Sequence, residues 1–141
     1  MYSVPAPVHV LLVQHPKHDS ELTLDALHGQ ADGIKIVVVN NGAHAQTFLA
    51  NCATPPKVML LDMQLPDMEG IELLRRIRSD DRTKSLPVLM LTESRDQRKT
   101  EARCLGVNGY LPNTTDAGVL AEHLTIFRHL IAGDRRKVTT E

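Results

Sequence analysis

The chain has almost no net charge, only two cysteines and no long apolar run, and each shortage narrows what it can do. Its formal charge is −1 over 141 residues and its isoelectric point is about 6.6, so no global field draws it to nucleic acid or an anionic membrane. No apolar stretch approaches the roughly 18 residues of a membrane span, and residues 1–8 lack a basic-then-apolar signal pattern. A cytoplasmic location is expected. Cys52 and Cys104 show no metal-ligand spacing and read as reduced core thiols. There is no internal repeat and no low-complexity segment. The turn Gln14-His15-Pro16-Lys17-His18 is not a Gly-rich phosphate loop, which argues against a small nucleotide binder or flavodoxin-like enzyme.

What is present is ordinary globular composition, 42% hydrophobic and 23% charged, enough for one domain with one sizeable core. Short apolar runs at 8–13, 34–39, 58–61, 87–91 and 110–111 read as strands. Helical spacing follows at 19–27, 43–52, 71–78, 95–105 and 117–131. The fourth helix is expected to stop at Gly106, and the Asn40-Asn41-Gly42 turn to precede the second. Five strand–helix alternations with near-continuous apolar strands predict an α/β fold, a parallel sheet covered on both faces. The expected division is an N-terminal extension at 1–7, the domain at 8–132 and a polar tail at 133–141, with no second domain.

The most informative stretch is 58–70, Val-Met-Leu-Leu-Asp-Met-Gln-Leu-Pro-Asp-Met-Glu-Gly. It ends an apolar strand on a carboxylate, Asp62, at the strand edge where open α/β sheets place their chemistry. Three further pieces accompany it: Val-Leu-Leu-Val at 10–13, Leu-Pro-Val-Leu-Met-Leu-Thr at 86–92 and Gly-Val-Asn-Gly-Tyr-Leu at 106–111. In this order the four resemble the receiver domain of bacterial response regulators over roughly 8–131. The resemblance implies a doubly wound, flavodoxin-like sheet of order 2-1-3-4-5 flanked by five helices. It also implies a place in two-component phosphorelay signalling. Asp62 would be the acceptor of a phosphoryl group from a histidine kinase, Thr92 the switch hydroxyl and Tyr110 the switch aromatic. The Gln64 backbone oxygen would complete a Mg²⁺ shell. Partners would dock on the fourth helix, fifth strand and fifth helix, and a second copy of the chain is a candidate among them.

Other positions depart from that pattern. The family's acidic pair after strand one is replaced by Gln14 and His15, its Lys after strand five by Asn113, and the small residue after the switch hydroxyl by Glu93. Mg²⁺ prefers an octahedral oxygen shell with one or two carboxylates, and an imidazole suits it poorly. Loss of one preorganised electrostatic partner costs on the order of 10²–10³ in rate. The expectation is therefore a degenerate receiver that binds no Mg²⁺, is phosphorylated weakly or not at all, and acts by docking to a protein partner. The rival expectation is a working response regulator phosphorylated on Asp62. His15 is the candidate imidazolium to pair with Asp62 or Glu93 in place of the metal, and a transition-metal site on His15 and Asp62 lacks an evident third ligand. His9, His18, His28, His44, His123 and His129 follow no ligand spacing and read as solvated surface or helix residues.

Overall fold

The computed structural model describes residues 8–18, 20–29, 33–92 and 99–112, with 118, 119, 122 and 124. Five strands, β1 (Val10–Val13), β2 (Ile36–Val39), β3 (Val58–Asp62), β4 (Val88–Thr92) and β5 (Gly109–Pro112), alternate with helices α1 (Ser20–His28), α2 (Gly42–Asn51), α3 (Gly70–Ser79) and α4 (Lys99–Cys104). All strand pairs are parallel and the order is β2-β1-β3-β4-β5. This is the expected doubly wound sheet. The expected last helix at 117–131 lies largely outside the described residues.

Strands β1 to β4 are Val, Leu, Ile and Met runs up to the Asp62 and Thr92 that end β3 and β4, because a parallel sheet covered on both faces leaves few positions that can be polar without a partner. Successive side chains alternate between two apolar layers. Leu11, Val13, Met59, Leu61 and Met90 pack under α2 and α3. Val10, Leu12, Leu60, Leu89 and Leu91 form the other layer with Leu27 of α1 and Leu124. Helix α3 carries the sharpest apolar stripe, Ile71, Leu73, Leu74 and Ile77, all buried. Phe48 of α2 packs partly buried against that first layer.

Polar side chains fix the helix ends. Asn41 caps α2 by accepting the His44 amide at 2.7 Å. The far end of α2 is held by Arg82, whose guanidinium donates to the carbonyls of Leu49 at 2.8 Å and Cys52 at 2.6 Å. Helix α4 stops at Gly106, which adopts φ 75°, the left-handed terminator that glycine supplies without strain. Arg78 of α3 reaches the same corner. Its fork donates to Leu105 O and Leu86 O, each at 2.7 Å, to Gly106 O at 3.0 Å and to Lys84 O at 3.2 Å. Burial lowers its pKa, yet a guanidinium stays cationic in proteins. The cysteines depart from expectation. Cys52 is a half-buried C-cap and Cys104 is exposed, because each falls where its helix ends, beyond the inward stripe.

Candidate functional site

Three strand ends converge at the C-terminal edge of the sheet. Asp62, 1% exposed, ends β3, and Thr92, 2% exposed, ends β4. Asp62 stands opposite Leu91 in the β3–β4 register, so Thr92 lies one residue further along the neighbouring strand. Val13 stands opposite Leu61, which places Gln14 beside Asp62. Alternation puts both on the face of Leu12 and Leu60. The amide of Gln14 extends the β1–β2 ladder to Val39 O at 3.1 Å. Its side-chain Oε1 is buried and, among the described residues, has no hydrogen-bond partner. Tyr110 of β5 is half-buried against the α2–α3 layer.

The Asp62 carboxylate is enclosed by N–H donors. Oδ1 accepts the Gln64 amide at 3.2 Å. Oδ2 accepts the His15 amide at 3.1 Å and stands 2.7 Å from His18 Nδ1. An ionised carboxylate has no proton to give, so the imidazole is the donor. His18 is therefore a site residue, with 27% of its side chain exposed. This corrects the reading of His18 as a solvated residue, and that of His15 as the partner of Asp62. The reason is a tight turn at 15–18, in which the His18 amide donates to His15 O at 3.0 Å. The turn swings the His18 ring back over the strand end. The His15 ring faces its own backbone and accepts the Lys17 amide at Nδ1, 3.0 Å away. Pro16 at the second turn position was the available sequence signal. Glu93 and Asn113 lie outside the described residues.

The segment leaving Asp62 is held just as closely. The Gly70 amide donates to Met63 O at 2.8 Å and the Leu65 amide to Met68 O at 3.1 Å, and Gln64 bridges Glu69. A Cβ on Gly70 would stand 2.1 Å from the Asp62 carbonyl oxygen, so the front of α3 lies directly on the strand end. Asp67, unremarked in the sequence, reaches the other way. Its carboxylate accepts the amides of Gly42 at 2.8 Å and Ala43 at 2.9 Å, a favourable place for negative charge at the start of α2.

Slight desolvation pushes the pKa of the exposed Asp67 up, but the amides of Gly42, Ala43 and Asp67 itself, helped by His44, outweigh it and leave the pKa below the ordinary 3.8. A carboxyl with a folded-state pKa below its unfolded one stabilises the fold above the unfolded value, and the contribution fades as pH falls through the folded one. Wild-type stability is thus expected to drop more steeply below pH 3.8 than that of Asp67→Ala. Urea midpoints measured across that range check this; parallel curves would contradict it.

The residues fit Mg²⁺ badly. Among the described residues one carboxylate is present, with both oxygens already accepting N–H groups, and an imidazole and a neutral amide stand where that ion prefers oxygen anions. Among the described residues, no group of three or more His, Cys, Asp or Glu could hold a metal.

Comparison with known proteins fixes the lineage. The model of the response regulator receiver domain matches residues 10–125. The chain belongs to that family. The receiver is 43% identical over 74 residues to chemotaxis protein CheY-3 of Vibrio cholerae, covering 51% of this chain and 57% of the relative. It thus spans little more than half the length of the chemotaxis relatives it matches. It is 32% identical over 111 residues to response regulator Rcp1 of Synechocystis, covering 74% of this chain and 76% of the relative. Among solved structures, the phosphorylated cyanobacterial phytochrome response regulator RcpA superposes with a TM-score of 0.77 at 27% identity, over 90% of this receiver and 95% of that chain. The Mn²⁺-bound form of Rcp1 superposes with a TM-score of 0.73 at 28% identity, over 87% of this receiver and 93% of that chain.

Proposed function

We propose that this receiver is a docking module of two-component signalling whose phosphoryl switch at Asp62 is weak or inactive with Mg²⁺. The observation that carries the reading is the carboxylate itself. Three N–H donors, from His15, Gln64 and His18, occupy its oxygens. An acceptor oxygen must present a lone pair to phosphorus, and phosphoryl transfer depends on cations that absorb the charge spread over the equatorial oxygens. On this reading the donors hold Oδ2 against the protein and leave Oδ1 with a single amide, while Gln14 and Asn113 supply no charge where the family pattern has an acid and a lysine. The balance between receiver conformations would then be set by the sequence and by a bound partner. Such a partner is a signalling protein, a histidine kinase among the candidates, meeting the face of α4 and β5 that carries Tyr110. A second copy of the chain fits the same face. No enzymatic activity beyond phosphoryl acceptance is proposed.

The other reading is a functional response regulator phosphorylated on Asp62 by a histidine kinase. It is favoured by Asp62 at the end of β3, Thr92 at the end of β4 and Tyr110 in β5, the residues to which the resemblance gives those roles. One experiment separates the two. Incubated with Mg²⁺ and acetyl phosphate, the protein is expected to gain a phosphoryl mass at least about 10²-fold more slowly than a variant carrying Gln14→Glu, His15→Asp and Asn113→Lys together. Rapid, Mg²⁺-dependent modification of the unaltered chain would reject the docking reading in favour of the relay.

A further inference from the structure

An edge strand leaves a row of backbone donors and acceptors unpaired, and proteins blunt such strands with charge, proline or a bulge. The two edges of this sheet differ. Strand β5 closes on Pro112. Strand β2 reads Ile-Val-Val-Val, every residue half-exposed, and pairs with β1 in unbroken register along its whole length. It carries none of the three protections.

We propose that β2 is a dimerisation edge, on which a second copy of this chain pairs antiparallel across a two-fold axis at Val37. The proposal rests on the fold alone and not on the docking reading. It leaves the α4–β5 face, at the far edge of the sheet, to another partner.

The backbone sets the register. Lys35 O accepts the His9 and Val10 amides at 2.9 and 3.2 Å, and Val39 O accepts the Gln14 amide at 3.1 Å. Alternation therefore turns the N–H and C=O groups of Ile36 and Val38 away from β1. Among the described residues they have no hydrogen-bond partner on that side. A two-fold axis at Val37 sets Ile36 opposite Val38 of the second copy, and Val38 opposite Ile36. Each is a pair that exchanges both N–H···O bonds, so every outward group of the strand is satisfied.

Side chains and charge favour a second copy over an arbitrary strand. Directly opposed residues share a face of the sheet. Ile36 and Val38 belong to the layer under α1 and meet each other there. Val37 belongs to the layer under α2 and meets its own counterpart. Half-buried Leu22 of α1 and Phe48 of α2 flank the two layers. Phe48 lies on the side of α2 opposite Gln46 and Ala50, which line the groove toward α3. Lys35, exposed just before the strand, falls opposite Val39. The two lysines then stand at opposite ends of the ladder, roughly 13 Å apart and beyond a Debye length of about 8 Å. A parallel copy in the same register would set them side by side.

The test uses the full chain. Sedimentation velocity is expected to show a monomer–dimer equilibrium, and hydrogen exchange at the Ile36 and Val38 amides to slow as concentration rises to millimolar. Val38→Pro deletes an outward N–H and leaves the bonds to β1, as proline on an edge strand can. It should weaken the dimer at least about tenfold. Disulfides read the register once Cys52 and Cys104 are replaced by serine. Opposed residues of a non-hydrogen-bonded pair have Cα atoms about 4.5 Å apart, within disulfide reach. Val37→Cys should therefore crosslink two copies and Lys35→Cys should not. Should Val38→Pro fail to fold, the crosslinks decide. The proposal is overturned by a chain that stays monomeric, by amide protection that does not change with concentration, by a dimer that survives Val38→Pro, or by crosslinking through Lys35→Cys but not Val37→Cys.

Discussion

Gly70→Ala is expected to destabilise the protein by about 2–3 kcal/mol, at the upper end of overpacking costs. A methyl group there would sit 2.1 Å from the Asp62 carbonyl oxygen, 3.0 Å from Met63 Cα and 3.1 Å from the Asp62 carbonyl carbon. None of these is the loose end of a side chain. Backbone must move, and it is the backbone that ends β3 on the functional carboxylate. The substitution should therefore do two things together. It should lower the urea midpoint, and it should break the contact between His18 and Asp62, read as a change in the His18 imidazole ¹⁵N shifts. A variant within about 0.5 kcal/mol of wild type, the range of ordinary surface changes, would show that α3 can retreat from the strand without cost.

The second large effect lies at the opposite end of the sheet. Arg78→Ala removes one guanidinium from four carbonyls in two segments, Lys84 and Leu86 before β4 and Leu105 and Gly106 after α4. Water can reach some of these oxygens, so the cost is less than four charged hydrogen bonds. About 3 kcal/mol is the expected loss. Arg78→Lys should recover less than half of it, because an ammonium is a point donor and cannot span both segments as the planar fork does. Denaturant titration of the three proteins checks the ordering. Equal stability of the Lys and Arg forms would mean that charge, not fork geometry, holds the corner.

The fold was legible because its strands are buried on both faces. A run such as Val58–Leu61 has no polar interruption, and few alternatives to a central parallel strand fit it. Asp62 was legible for a related reason, as a charge at the end of such a run. Boundaries slipped by a residue or two where caps decide them. Helix α2 begins at Gly42 because Asn41 caps it. The partner of Asp62 was assigned to the wrong histidine. Residues 14–18 have no period to read, and position in sequence favoured His15, which follows the strand directly. The turn through Pro16 reverses that order in space, bringing the side chain of His18 and only the backbone of His15 to the carboxylate. Asp67 and Arg78 escaped notice because each binds backbone groups far along the chain, and main-chain amides and carbonyls leave no mark in a sequence.

The bridge from Asp67 to the Gly42 and Ala43 amides has a mechanical side. It ties the loop that leaves the pocket to the opening turn of α2, and sliding one past the other would break both hydrogen bonds, one of them partly buried. Pressure from a bound protein on that turn would be transmitted through a single carboxylate to the segment five residues beyond Asp62, so the helix and the pocket rim travel as one lever.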